Sequence, residues 1–441
     1  MPMPAELRMH AEHRERFLAL LAEQDAAAVV ATGHAPLRNG DSEYRYRPHS
    51  DFLYLTGFRE PNAVLVLAPG RDEGQSVLFL QQKDPAQEVW TGRRLGVDAA
   101  ADTLAVDEAR PIEDLWADLP ELLSGHRKLV YETGVDPERD QEMLHVLEEL
   151  RTMTKRGRPS PTEWADPSAT LHELRLFKTP EELDCMRKAA AITVEAHLAV
   201  MREAAPGKNE AELDALLEYT FRRRGGTGAA YSNIVAGGAN ACILHYVTND
   251  QELRAGDLCL VDAGAEWNYY ASDVTRTFPV DGTFTKEQRA LYEVVLAAER
   301  AGIAASLPGR TAQNVHEAAL DVLVDGLLEL GLVDGDAQSV KEEQAYRRFF
   351  MHKTGHWLGL DVHDCGAYFD GSTPRPLAPG MVQTVEPGLY VAPDDETVEE
   401  RWRGIGIRIE DDVLVTDGAP EVLTAALPTD PDEVERICRG G

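Results

Sequence analysis

The chain has 441 residues, which at roughly 150 residues per domain allows two or three domains. Hydrophobic residues make up 43% and charged residues 27%, ordinary globular usage that disfavours wholesale disorder, collagen-like repeats and membrane-spanning architecture. Asp and Glu outnumber Lys and Arg by 76 to 44, and the resulting net charge of -32 repels phosphate backbones and anionic lipid, arguing against nucleic acid or a membrane as partner. From Met1 to about His172 a charged helix near residues 5–23 is followed by strand-like runs, AAAVVATG, AVLVLAP and SVLFLQQ, which predicts an α/β domain. The Pro-, Ser- and charge-rich stretch 151–168 reads as a connection over the surface, placing the domain boundary between residues 173 and 174.

Beyond it, Thr179 with Glu182 and Asn209 with Glu212 have the capping-box pattern, the second helix stopping at Gly225. Strand-like runs follow. The order then recurs: Thr285 with Gln288 caps a helix, Thr311 opens another that ends near Gly331, and strand-like segments run from about Phe349 onward. Two helices and then strands, twice over, predict two related halves around a shared sheet, with the seam as a natural place for a site.

Four segments of the second half carry the chemistry. In LCLVDAGAEWNYYASDVTRTF an apolar strand leads into Asp262, a glycine-containing turn reverses the chain and a second strand carries Asp273. A hairpin would set the two carboxylates side by side, and burying either demands a partner, a hydrogen bond or a metal; a lone aspartate there reads equally as a turn cap. MHKTGHWLGLDVHD holds His352, His356 and His363. The first two share the i, i+4 spacing of zinc-protease helices, but no glutamate follows His352, and Gly355 and Gly359 argue against a helix, so that reading fails. Any one of these histidines alone reads as structural; the grouping points to a site. TVEPGLY places Glu386 before Pro387, and GIGIRIEDDVLV alternates Glu410 with Ile407 and Ile409, Arg408 sharing its face, where a strand-face ion pair is the plain alternative.

Taken together, two Asp, two Glu and one or more His are mainly hard oxygen ligands with an imidazole, a set suited to Mn²⁺, Co²⁺ or Zn²⁺. Four carboxylates exceed what one divalent ion balances. Two ions roughly 3.5–4 Å apart would balance them and hold a bridging water, the arrangement of metal-assisted hydrolysis. Five cysteines at wide, irregular spacing (Cys185, Cys242, Cys259, Cys365, Cys438) fit neither a disulfide framework nor a metal knuckle. No stretch reaches the ~18 apolar residues of a membrane helix, and the N-terminus lacks an apolar core, so a cytoplasmic protein is expected.

These segments in this order resemble the successive signatures of the metal-dependent, proline-directed peptidases with the pita-bread fold, the aminopeptidase P (Xaa-Pro aminopeptidase) subgroup above all. RYRPHSDFLYLTGFREPNAVLVL and EVWTGRRLG resemble that subgroup's N-terminal domain. The resemblance implies an N-terminal α/β domain, residues 1–173, serving oligomerisation and pocket closure. It implies that residues 174–441 form a pita-bread (creatinase/aminopeptidase-like) catalytic domain with internal two-fold pseudo-symmetry. Asp262, Asp273, His356, Glu386 and Glu410 would hold two divalent ions, Mn²⁺ foremost, with Asp273 and Glu410 bridging. His245 and His363 would stabilise the scissile carbonyl oxygen, His352 would line the same pocket, and Glu386 would shuttle the proton to the departing proline nitrogen. Arg408 and Tyr390 would steady Asp262, and Trp90 would close the pocket of a neighbouring subunit in a homodimer or homotetramer. The implied reaction releases the N-terminal residue from peptides with proline in second position. An Xaa-Pro dipeptidase shares the ligands and is the alternative; a metal-free peptide-binding module of the same fold would have lost ligands, and none is lost here.

Overall fold

The aliphatic runs between Ala26 and Leu80 form the centre of a mixed six-stranded sheet. Its order is Glu108–Pro111, Ser76–Leu80, Val64–Leu67, Ala26–Ala31, Lys128–Val130 and Glu163–Ala165; the three central strands are antiparallel to one another and the outer pairings are parallel. Val64–Leu67 and Ser76–Leu80 are buried along their whole length, as strands covered on both faces must be. The helices Leu115–Leu123 and Pro137–Met153 contribute Leu119, Leu123, Met143 and Val146 to one apolar cluster with Val29, Val66 and Phe79. Burying each such side chain is worth about 1.5–3 kcal/mol. This is a computed structural model, and it describes residues 5–440; the chain divides into one unit ending at Arg175 and another beginning at Leu176.

The stretch 151–168 departs from the expected surface connection, because Glu163–Ala165 pairs with Lys128–Val130 as the edge strand of the sheet. Trp164 is the anchor: its indole N–H donates to the Tyr131 carbonyl at 3.1 Å, and the two rings meet edge to face at 5.4 Å. A three-residue edge strand has too little alternation to stand out in a Pro-rich text. The short helix Pro85–Thr91 begins on Asp84, whose carboxylate accepts from the N–H groups of Ala86 and Gln87, and leaves Trp90 84% exposed.

In the second unit the helices Pro180–Glu203 and Glu210–Arg223 precede an antiparallel sheet of Ile234–Gly237, Leu258–Asp262 and Thr275–Pro279. The helices Lys286–Ala305 and Ala312–Glu329 precede a second antiparallel sheet of Val382–Val385, Asp411–Leu414 and Glu421–Val422. The helix pair followed by a three-stranded sheet thus occurs twice. Thr179/Glu182, Asn209/Glu212 and Thr285/Gln288 all form reciprocal capping boxes, and Thr311 forms one with Asn314. Residues 349–368, read as strand-like, hold neither helix nor strand apart from a single bridge of Trp357 to Gln383. Their path depends on close approach: a Cβ on Gly355 would lie 2.0 Å from the Thr384 carbonyl oxygen, and one on Gly359 2.1 Å from Asp364 Oδ2. Among the described residues no helix is long and apolar enough to cross a membrane, and the five cysteines are free.

Candidate metal centre

Asp262 ends the strand Leu258–Asp262 and faces Thr275 across the ladder. Asp273 lies two residues before the partner strand, on a bend, because residues 265–271 leave the ladder to build a small separate sheet. The two carboxylates still meet. The Tyr231 hydroxyl lies within donating distance of Oδ1 of both, 2.6 Å from that of Asp262. Asp412 fixes the bend, accepting from the Asp273 N–H at 3.0 Å on one oxygen and from the Ser272 hydroxyl at 2.7 Å on the other.

Glu386 and Glu410 each sit in the gap between two short strands, 382–385 and 388–390 for the first, 406–408 and 411–414 for the second. The Thr354 carbonyl holds the Glu386 N–H at 2.8 Å, and the Thr275 hydroxyl donates to Glu410 Oε2 at 2.6 Å. From the histidine-rich loop, His356 places Nε2 3.3 Å from Asp273 Oδ2 and 3.7 Å from Glu386 Oε1. Its Nδ1 donates to the Trp357 carbonyl at 3.0 Å, which fixes the tautomer and leaves Nε2 free to act as a ligand. One donor atom each from Asp273, His356 and Glu410 falls within 4.8 Å of the others.

Arg408 does not pair with Glu410 across the strand face. It donates to Asp262 Oδ2 at 2.5 Å, to the Tyr390 hydroxyl at 3.0 Å and, through Nε, to Thr275 Oγ1 at 3.0 Å. Tyr390 in turn reaches His352 Nε2 at 2.9 Å, and His352 Nδ1 donates to the Lys353 carbonyl at 2.7 Å. These contacts orient Asp262 from behind.

The electrostatics follow from gathering four carboxylates, three of them buried and Glu386 half-buried, beside one guanidinium. Burial first, then Asp273, Glu386 and Asp262, pushes the Glu410 carboxyl well above the usual range, Arg408 only partly opposing them. Glu386 rises to about 7, again through burial first, against the opposing charges of His356 and Arg408. Burial lowers the His356 imidazole, but its bond to Asp273 and the charges of Asp273 and Glu386 win and carry it up to about 9. Acids that hold protons and an imidazole that holds a second one mark a site short of positive charge, so this donor set fits divalent cations. Burial lowers His352 to about 4, keeping it neutral.

The carboxylates open on a cavity of about 1340 Å³ whose wall also includes His245, His352, His363, Tyr231 and Arg408. The His363 ring stands 4.3 Å from that of His356. Tyr390 is buried beneath the site, and Trp90 belongs to the other unit. Tyr231, Thr275 and Asp412 escaped the sequence reading, because a hydroxyl or a second aspartate in IEDD has no spacing signal of its own.

Residues 184–417, more than half of the chain, match the description Metallopeptidase family M24. The chain belongs to metallopeptidase family M24. A second match, to the aminopeptidase P N-terminal domain, covers residues 10–131, so the family expectation drawn from the motifs is borne out. Among M24 relatives, the Xaa-Pro aminopeptidase of Escherichia coli is 42% identical over 98% of this chain and 97% of its own. The solved structure of Pseudomonas aeruginosa aminopeptidase PepP is 44% identical with a TM-score of 0.96, covering 100% of this chain and 99% of that one. A zinc-substituted E. coli aminopeptidase P in complex with product has 41% identity and a TM-score of 0.93, over 100% and 99% of the two chains. This M24 chain is a metal-dependent peptidase, a hydrolase.

One M24 histidine outside the cavity has a stability consequence. His197 is fully buried, donates from Nε2 to the carbonyl of Ala263, next to Asp262, at 2.9 Å, and has no partner for Nδ1 among the described residues. Burial, with the Arg276 charge adding to it, lowers its pKa from 6.5 to about 4 despite the Ala263 bond. Below pH 6.5 the unfolded chain therefore takes up a proton that the folded chain refuses. Stability is unaffected by His197 above pH 6.5 and falls as the pH drops toward 4, by about 2 kcal/mol between pH 6.5 and 5. Urea unfolding of metal-free protein should show that part of the acid slope missing in His197→Gln; an unchanged slope rejects the assignment.

Proposed function

We propose that this peptidase is an Xaa-Pro aminopeptidase acting through two divalent ions held by Asp262, Asp273, His356, Glu386 and Glu410, with Asp273 and Glu410 shared between them. The observation that carries the reading is the convergence of three buried carboxylates, the half-buried Glu386 and one tautomer-fixed imidazole in a single cavity. The 42% identity to an Xaa-Pro aminopeptidase over almost the whole length of both chains supports the substrate class. Bound there, the ions would supply Lewis-acid activation of water and of the scissile carbonyl, and Mn²⁺ is the ion we favour, ahead of Co²⁺ and Zn²⁺.

The protein's own groups do the rest. Glu386 takes a proton from the attacking water and delivers it to the proline nitrogen, which as a tertiary amide cannot leave without one. His245 and His363 donate to the carbonyl oxygen as charge builds there. His352, held neutral, lines the pocket, and Arg408 with Tyr390 keeps Asp262 in register. Incubating the Mn²⁺-loaded protein with an Xaa-Pro dipeptide and an Xaa-Pro-Xaa tripeptide tests the assignment. Release of the first residue from the tripeptide is expected. Cleavage of the dipeptide alone makes it an Xaa-Pro dipeptidase, and no cleavage of either overturns the proposal.

We also propose a homodimer or homotetramer in which Trp90 closes the pocket of a neighbouring subunit. An aromatic ring 84% exposed on a short helix, flanked by exposed Val89, is what an interface anchor looks like before its partner is added. Excluding water there would strengthen the electrostatics inside. Trp90→Ala is expected to raise KM for longer peptides about tenfold at unchanged metal content. A fully active monomer by light scattering rejects the idea. Five free cysteines suit the cytoplasm, a placement that cell fractionation finding the protein outside it would overturn.

A further inference from the structure

We infer that Glu210, which no step of the reaction touches, is the positioning residue for His245. Glu210 opens the helix Glu210–Arg223 and is 0% exposed. Its Oε1 accepts from the Gly237 N–H at 2.7 Å and from Asn240 Nδ2 at 3.1 Å; its Oε2 accepts from the Tyr246 hydroxyl at 2.8 Å and from the Gln251 N–H at 2.9 Å. Among the described residues no cation pairs with it. Burying a carboxylate costs several kcal/mol, and here four donors and the helix N-terminus offset that cost instead of a counter-ion.

The four donors are spread over the beginning, middle and end of one segment, 237–251, which leaves the strand Ile234–Gly237 at its last residue, makes a short 3-10 turn at Gly238–Cys242 and then holds neither helix nor strand. His245 lies inside that segment. It lines the cavity shared with Asp262, Asp273 and Glu386, and among the described residues its side chain makes no hydrogen bond of its own. With no hydrogen bond on the ring, the nearest hydrogen-bonded anchor along the chain is its neighbour Tyr246, buried with its hydroxyl on Glu210. One turn further along the same helix, Asp214 accepts from Asn233 at 2.7 Å and Asn249 at 3.4 Å, while Asn249 accepts from the Val235 N–H at 2.9 Å, which clamps the far end of the segment. The middle is wedged as well: a Cβ on Gly406, in the strand that delivers Arg408, would lie 2.3 Å from the Ala241 carbonyl oxygen.

Only a carboxylate satisfies this arrangement. The two backbone N–H groups approach different oxygens, so a glutamine would aim its NH₂ at one of them whichever way it turned. An imidazole displaced by 1 Å from a developing oxyanion loses about 100-fold in rate.

The inference rests on the reading of His245 as a donor to the substrate carbonyl in an Xaa-Pro aminopeptidase. Its test is a double-mutant cycle on the full-length, metal-loaded protein with an Xaa-Pro-Xaa tripeptide, comparing Glu210→Gln and Tyr246→Phe in the wild-type and His245→Ala backgrounds. Thermal unfolding and metal content are measured alongside. In the wild-type background Glu210→Gln should lower kcat about 10- to 100-fold and Tyr246→Phe about fivefold, with KM and metal content unchanged. In the His245→Ala background both should change kcat less than about twofold. Equal losses in the two backgrounds, or a Tyr246→Phe enzyme with wild-type kcat, overturn the inference, and Tyr246→Phe decides alone if Glu210→Gln does not fold. The His245 ring resonance, identified by its loss in His245→Ala, should move in Tyr246→Phe; an unmoved resonance also overturns the inference. That arm does not depend on activity, so a wild-type protein inert toward Xaa-Pro peptides would sink the substrate reading while the positioning claim is still decided.

Discussion

Glu386→Gln is expected to lower kcat on an Xaa-Pro-Xaa peptide by roughly 10²–10⁴-fold, the range that a positioned acid–base group supplies. The substitution preserves shape. The backbone of residue 386 stays tied to the Thr354 carbonyl, and the amide oxygen can still accept from the neighbouring Thr384 hydroxyl, at 3.4 Å in the native chain. What is lost is a carboxylate that touches the cavity and faces His356 and His352, both 3.7 Å away. The same group is assigned metal binding and proton transfer, so its loss should exceed that of His352→Ala, whose ring does neither. Steady-state kinetics with thermal unfolding as the control decide the matter: near-normal kcat in a folded Gln variant means that Glu386 is not the shuttle.

Asp273→Asn should separate activity from stability in opposite directions. Tyr231 can still donate to the remaining oxygen, and Asp412 still holds the residue 273 N–H, so the bend survives. The lost charge is one of those that raise the affinity of Asp262, Glu386 and Glu410 for protons. The metal-free variant should therefore melt above the metal-free wild type. The metal-loaded comparison reverses. If Asp273 is the shared ligand proposed above, its loss would remove several kcal/mol of Lewis-acid stabilisation, about a thousandfold or more in rate, and elemental analysis should find fewer than two ions per chain. Two retained ions with activity intact would falsify the bridging assignment. Such a trade of stability for a charged, strained cluster is ordinary at a reaction centre.

Local chemistry was legible in the letters. Thr179, Asn209, Thr285 and Thr311 announce helix starts because a cap is a short-range interaction between residues three apart. The aliphatic runs announce the buried strands of the first unit for a similar reason, period and length being local properties. Asp262, Asp273, His356, Glu386 and Glu410 stood out because an acid or a histidine embedded in apolar text needs a reason to be buried. What the text could not give was distance. Alternation would put Arg408 and Glu410 on one strand face, yet Glu410 falls between two strands and the guanidinium goes to Asp262 and Tyr390, since the ladder that brings residue 275 beside residue 262 offers it a better-placed carboxylate.

The sequence by itself determined the fold family, four helix starts and the inventory of candidate metal-ligating side chains, because each of these is written in neighbouring residues or in motifs met in order. Only the tertiary structure decided that Glu163–Ala165 closes the edge of a sheet, that Tyr231 and Asp412 set the two aspartates, and that Glu210 gathers the segment around His245. Those three depend on contacts between residues far apart along the chain, where burial removes water and leaves a polar atom to find whichever partner the packing brings within 3 Å.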